Sequence, residues 1–328
     1  MPTASSARRL APEPARSGMA QEILTGLTAT PKRLSPKYFY DEKGSRLFDS
    51  ITEQPEYYPF RTEIAVLEQN AAAIVQLFPD QAALVDFGMG SSIKARILLR
   101  AATNLSAYVP VDIAVDHLRD DTDSVARDFP NLQVLPVAAD FTQSFALPAA
   151  VQDKPRAGFF PGSTIGNFEP HEATRFLQRV GNILGEGAVL IVGVDLVKDV
   201  NVLNAAYNDA AGVTAAFNRN VLERINRELG GDFDPKSFEH HAIYNGHKHR
   251  VEMHLASVKR QKVHLDGETI DFRAGETIHT ENSYKYSIRS FGALARGAGW
   301  KPLAVWTDAN EYFAVHALKF EHSPKKPD

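Results

Sequence analysis

Short apolar runs rich in β-branched and aromatic residues alternate with stretches of helical spacing through the middle of the chain. The segments "ALVDFG", "AYVPVDIA", "QVLPVAADF", "AGFFPG" and "GAVLIVGVDLV" read as strands. Between them "IKARILLRAA", "HLRDDTDSVARDF" and "HEATRFLQRVGNIL" place apolar residues on one helical face. Strands that alternate with helices predict parallel β-α-β units wound on both faces of one sheet. Further on, "SIRSFGALARGAG" reads as a helix closed by glycine, and "KPLAVWTD" and "YFAVHALKF" as a strand pair. Together these predict a seven-stranded, doubly wound α/β sheet with a hairpin at one edge.

Residues 198–286 break this rhythm. "LNAAYNDAAGVTAAFNRNVLERINREL" reads as a long helical stretch with Phe217, Val221, Ile225 and Leu229 on one face. After "GGDFDP" the segments "HRVEMHLASVKRQKVHL" and "ETIDFRAGETIHTENS" alternate between turn residues, which predicts an antiparallel meander. The block lies between the fifth strand and the last helix, so it reads as an insertion. The expected organisation is a disordered tail over 1–19, a sheet domain over 62–197 plus 287–322, and an α+β domain over 20–61 plus 198–286.

Composition narrows the classes. A formal net charge of -4 leaves no overall basic surface for nucleic acid or an anionic membrane. The absence of cysteine removes disulfides, thiolate chemistry and cysteine-ligated zinc, and fits a cytoplasmic setting. No apolar run approaches the roughly 18–20 residues of a membrane span. The opening "MPTASSARRLAPEPARSG" reads as a tail, since Pro12 and Pro14 would interrupt a targeting helix.

The chemistry concentrates at "DFGMGSSIK". In open α/β sheets, ligands bind beyond the carboxyl ends of the strands where the strand order reverses. Gly88 and Gly90 fit the start of a dinucleotide fingerprint, but Ile93 stands where its last glycine belongs, and no phosphate loop of the Lys-Ser/Thr type is present. An acid before a short Gly-x-Gly turn suits a cofactor with an amino-acid moiety and no phosphate. Methyltransferase, dinucleotide enzyme and plain tight turn all stay open on the turn alone. Asp112 at the end of the second strand can accept from ribose hydroxyls, and Asp140-Phe141 at the end of the third can take an adenine amino group and cover its ring. Each is by itself more often a helix cap or core residue. On successive strand ends they favour an adenosine site.

These segments, with "FYD", "QPEYYPFR", "GSTIGN", "VDLVKD", "AYNDAAGVTAAFNRN", "EMHL" and "TENSYKY", resemble the histidine-specific S-adenosylmethionine-dependent methyltransferases of ergothioneine biosynthesis. The resemblance covers all but the tails. It implies a class I methyltransferase fold, Rossmann-like, with an inserted α+β substrate-binding domain. The implied activity is transfer of methyl groups to the α-amine of L-histidine. It implies cofactor contacts at Gly88, Lys94, Asp112, Asp140 and Phe141. The substrate carboxylate would be held by Tyr57, Asn167 and Tyr207, and the imidazole by Glu281 and Ser283 with Met253 beside them. Tyr40 would stand near the reacting amine. The turn departs from the family pattern at Met89 for a serine, Ala95 for a threonine and Asp86 for a glutamate.

Read without the resemblance, Glu281 belongs on a solvent face and one ring of Tyr57-Tyr58 in the core. The histidines of "FEHHAIYNGHKHR" read as a solvated hairpin rather than a metal site, because Asn245-Gly246 marks a turn and Lys248 and Arg250 repel a cation. The expected protein is a cytoplasmic monomer that binds a small molecule, with no metal, nucleic acid or membrane partner. Its alternatives are a paralogue acting on another amine and a weakened cofactor-binding relic.

Overall fold

The apolar runs and the final strand pair do meet in one sheet. In the computed structural model, which describes residues 13–113 and 115–321, the strand order is Trp300–Thr307, Phe313–Phe320, Val189–Asp195, Arg156–Phe160, Ala83–Phe87, Ala107–Asp112 and Gln133–Val134. A further short strand, Val137–Ala138, also pairs with Ala107–Asp112. Pairing is parallel except at Phe313–Phe320, which is antiparallel to both neighbours. The expected third strand is thus split into two pieces at one sheet position. Pro136 has no N–H to give the ladder, while Leu135 and Ala139 on either side still donate to Tyr108 and Asp112 carbonyls. The sheet therefore has seven positions, and this is the class I methyltransferase fold.

Both faces are covered, which is why the strands read as nearly unbroken apolar runs. Val85, Phe87, Val111, Phe160 and Val192 face Phe176, Leu177 and Val180 of the helix Pro170–Leu184 and Phe291 of the helix Ile288–Gly297. Leu84, Tyr108, Phe159 and Ile191 face the other way, onto Val66, Leu67 and Ile74 of the helix Tyr58–Val75 and Leu98 of Ile93–Ala101. The chain runs outward from Ala83–Phe87 to one edge and then returns to Arg156–Phe160 on its other side. The reversal lies between these two strands, at the tip that carries Gly88.

Two compact units make up the chain. The sheet unit takes residues 52–206, 244–251 and 282–328, and the second takes 1–51, 207–243 and 252–281. Of the expected tail, residues 1–12 lie outside the described residues. From Glu13 the chain is instead a helix, Glu13–Thr28, anchored by buried Ile23 and Leu27.

Residues 198–286 correct two expectations. The long helical stretch is two helices, Val200–Tyr207 and Val213–Leu229. Asp209 caps the second, accepting from the N–H groups of Val213 at 2.7 Å and Thr214 at 2.8 Å, and Gly212 turns the chain with φ +72°. The buried face of Val213–Leu229 carries Phe217, Val221, Ile225 and Leu229 as the spacing implied. The strands do not form one meander. Gln261–Leu265 and Glu268–Phe272 make their own antiparallel hairpin. The remaining sheet runs Lys32–Arg33, Thr277–Tyr284, Arg250–Ser257 and Phe238–Asn245. Its first strand is parallel to Thr277–Tyr284, and Lys32 pairs with Glu276 at 2.8 Å.

Candidate active site

The turn after Ala83–Phe87 is built for close approach. Gly88 and Gly90 hold φ +68° and +51°, a left-handed backbone that side chains rarely adopt. A Cβ on Gly88 would lie 2.8 Å from the Phe141 ring, so the bare backbone and the aromatic face form one wall. Phe141 is held there by edge contacts to Phe160 and Phe176. The Gly90 N–H donates to Asp112 Oδ2 at 3.1 Å, which fixes that carboxylate beside the turn. Asp140 Oδ1 accepts from both the N–H and the hydroxyl of Thr142, which orients that carboxylate. Two oriented carboxylates, an aromatic face and a glycine turn suit a hydroxyl- and amine-bearing adenosine group. They suit a phosphate poorly.

Lys94 stands on the first turn of Ile93–Ala101 and is buried against Glu63, with Nζ 2.5 Å from Oε2. Glu63, fully buried, also accepts from the Gly162 N–H through both oxygens, at 3.0 and 2.8 Å. It fits against the sheet only because residue 193 is glycine, where a Cβ would come within 1.9 Å of its carboxylate. The expected cofactor lysine is therefore the counter-ion of an acid the sequence reading passed over. The only cue to that acid was a charged residue, "RTE", inside an apolar helical run.

The three departures in the turn face inward. Met89 and Ala95 are buried in the core cluster of Leu98, Val66 and Phe159, where they fill space. Asp86 is buried beneath the turn and accepts from the Tyr108 hydroxyl at 2.8 Å. Burial pushes its carboxyl up to about 7, against the pull of that hydrogen bond. All three are therefore core positions.

In the same unit, "GSTIGN" forms the loop after Arg156–Phe160. Ser163 has φ +57°, and its Oγ accepts from the Asp195 N–H at 2.9 Å. Gly166 touches backbone, because a Cβ there would lie 2.7 Å from the Tyr284 carbonyl oxygen. Asn167 ends the turn Thr164–Asn167, half-buried, with no side-chain hydrogen bond among the described residues. Tyr57 precedes the helix Tyr58–Val75 and is half-buried, whereas Tyr58 is the ring in the core.

The Tyr58 hydroxyl donates to Asp195, which also takes Lys198 at 2.6 Å and Lys285 at 2.7 Å. Burial raises the Asp195 carboxyl, but the two ammonium groups outweigh it and hold it below its usual range. Burial lowers Lys198 to about 8, with Asp195 opposing. Lys285 also donates to Ser283 Oγ at 2.8 Å, which occupies a lone pair of that hydroxyl. Nothing in "VDLVKD" as a sequence signals this charge cluster, because Tyr58 and Lys285 come from distant segments.

The second unit holds Tyr40, Tyr207, Met253 and Glu281, whereas Ser283 falls in the sheet unit. Tyr40 follows the turn Pro36–Phe39, its ring edge-on to Phe48 and Phe217 at 5.8 and 5.7 Å. Met253 is buried on Arg250–Ser257. Glu281 is 8% exposed, so the expectation of a solvent face without the resemblance fails. Glu281 and Ser283 are two apart on the strand Thr277–Tyr284, and strand alternation turns both to one side. Tyr207 is buried at the end of Val200–Tyr207. Of the four histidines, His240 is tied inward by two hydrogen bonds, while His241, His247 and His249 are exposed. Among the described residues no group of three or more histidine and carboxylate side chains is placed to hold a metal ion.

The sequence model of a family described as histidine-specific, S-adenosylmethionine-dependent methyltransferases matches residues 19–320. The chain is similar to a histidine N-alpha-methyltransferase of Mycolicibacterium smegmatis, 42% identical across 93% of this chain and 96% of that one. It is 38% identical to a protein of the same name from Mycobacterium tuberculosis, across 93% and 95% of the two chains. An ergothioneine biosynthesis protein 1 of Neurospora crassa is 28% identical across 88% of this chain and 33% of its own length.

Proposed function

The chain belongs to the histidine-specific, S-adenosylmethionine-dependent methyltransferase family, and from that premise we propose that it methylates the α-amine of L-histidine up to three times. The product is Nα,Nα,Nα-trimethylhistidine (hercynine), and the step opens ergothioneine biosynthesis. The observation that carries the reading is the near full-length similarity to two enzymes named for this activity.

S-adenosylmethionine, when bound, supplies a methyl group activated on a sulfonium. The residues that would hold it are Gly88 and Phe141 at the adenine wall, Asp112 and Asp140 as acceptors, and the Lys94–Glu63 pair beside the Gly162 backbone. What remains for the protein is alignment, and holding two reactants in line is worth about 7–11 kcal/mol. Tyr57, Asn167 and Tyr207 hold the substrate carboxylate by neutral donors. Residues 20–61 and 198–286 form the substrate-recognition part.

The amine must shed a proton to become a nucleophile. The α-amino group of a peptide titrates near 8 and that of a free amino acid somewhat higher, and carrying it neutral costs about 1.4 kcal/mol per pH unit below its own value. This is small, so no strong base is needed. Tyr40 accepts a hydrogen bond from the amine and passes the proton toward water. Glu281 selects the ring: a buried carboxylate can accept from an imidazole N–H that a phenylalanine ring does not offer, and a site built around such a bond rejects an analogue lacking it by about 10⁴–10⁵.

The test is incubation with S-adenosylmethionine and a panel of free amino acids, read by mass spectrometry. L-histidine alone should gain up to three methyl groups. Methylation of another amino acid in preference to histidine overturns the reading. The proposal takes the enzyme to be a cytoplasmic monomer, and light scattering checks its mass.

A further inference from the structure

His240 was singled out in the sequence as part of a histidine cluster, and nothing in the proposed reaction uses it. Its ring is nevertheless fully engaged. Nδ1 lies 2.8 Å from Asn218 Nδ2, and Nε2 lies 2.9 Å from the carbonyl oxygen of Tyr207. The neighbours decide which nitrogen carries the proton. Asn218 Nδ2 also donates to the His254 carbonyl at 3.0 Å, and Asn218 Oδ1 accepts from the Thr280 hydroxyl at 2.8 Å. The amide therefore cannot flip without setting its oxygen against the His254 carbonyl. With Nδ2 fixed as a donor, His240 Nδ1 must accept. Nε2 then carries the hydrogen and donates to Tyr207.

That carbonyl belongs to the last residue of the helix Val200–Tyr207, where backbone oxygens lack partners inside the helix. The next residue is tied to the same strand, Asn208 Nδ2 donating to the Ala242 carbonyl at 3.0 Å. The relay also reaches the neighbouring strands. Thr280 directly precedes Glu281, and its hydroxyl lies 3.1 Å from the Met253 carbonyl oxygen. Asn218, fully buried, stands in the middle. One chain of hydrogen bonds thus runs from the Tyr207 carbonyl through His240 and Asn218 to the His254 carbonyl, next to Met253, and to Thr280, next to Glu281.

We propose that His240, in its neutral Nε2–H form, is a positioning residue that sets Tyr207 for the substrate carboxylate and couples it through Asn218 and Thr280 to the strands carrying Met253 and Glu281. This rests on the reading of Tyr207, Met253 and Glu281 as substrate contacts. Burial lowers the ring's proton affinity, in keeping with the neutral form.

Two variants divide the ring's work. His240→Asn puts an acceptor where Nδ1 was but does not reach Tyr207. His240→Gln puts an N–H donor near the place of Nε2. The proposal expects His240→Asn to raise KM for L-histidine about tenfold, the equivalent of one lost hydrogen bond. Its kcat and its affinity for S-adenosylhomocysteine should change less than about threefold, and His240→Gln should recover most of the KM. Equal shifts in the two variants, or an unchanged KM in a folded His240→Asn, overturn it. If His240→Asn does not fold, Thr280→Val reads the same relay, and an unchanged KM there overturns the proposal as well. Calorimetric titration of the wild type with L-histidine and S-adenosylhomocysteine is done first. No uptake of histidine there overturns the function reading, and this inference with it, before any variant is compared.

Discussion

Replacing Lys94 by methionine separates two roles that one side chain could fill. Its Nζ is 2.5 Å from Glu63, and the two side chains are 10% and 1% exposed. Removing the ammonium leaves a carboxylate deep in the sheet unit with only the Gly162 N–H for company. Stranding one partner of a buried pair costs about 3–5 kcal/mol, or roughly 6–20 °C in Tm for a unit of this size. Glu63→Gln with Lys94→Met removes both charges, and the glutamine oxygen can still accept from Gly162. The double variant should regain at least about 2 kcal/mol over Lys94→Met, since replacing both ions is often close to neutral. Urea unfolding followed by circular dichroism measures this, and titration with S-adenosylhomocysteine runs beside it. If the double variant is no more stable than Lys94→Met, the counter-ion argument is refuted. If stability returns while cofactor affinity stays low, Lys94 touches the cofactor as well as the acid.

Gly88→Ala should weaken S-adenosylhomocysteine binding about tenfold or more. The left-handed backbone costs an alanine roughly 1–2 kcal/mol, and the new methyl pushes Phe141 off the wall; an unchanged dissociation constant would remove Phe141 from the cofactor site. Asp86 holds its proton more tightly folded than unfolded, so its contribution to stability is present at low pH and lost as pH rises from about 3.8 toward about 7. Asp86→Asn, which keeps an acceptor for Tyr108, should flatten that decline by up to about 1.4 kcal/mol per pH unit, and identical pH–stability curves for the two proteins would rule the reasoning out.

Much of the sheet unit was readable because its signals are local. Apolar runs broken by glycine and polar residues give the strands directly, and Phe217, Val221, Ile225 and Leu229 mark a buried face within one helix. The strand tips bearing Asp112, Asp140 and Phe141 follow from the same runs. Long-range pairings were not readable. Lys32–Arg33 is too short to show any period, and it becomes a strand only by lying against Ile278 and His279. Glu63 looks like an ordinary helical charge until Lys94 and Gly162 close on it. The break between the helices Val200–Tyr207 and Val213–Leu229 is hard to see in the sequence because Asp209 and Gly212, a cap and a left-handed turn, fall inside one run of helical spacing. Pro136 was legible in principle, since its missing N–H alone splits the strand.

The antiparallel strand Phe313–Phe320 lies inside the sheet, flanked by Val189–Asp195 and Trp300–Thr307. While the chain is being made, residues 189–195 must wait with one ladder edge unpaired until more than a hundred further residues have left the ribosome. That interval is when a newly made chain is most open to aggregation and most in need of a chaperone. A chain stopped before residue 313 would keep its glycine turn and yet never close its sheet.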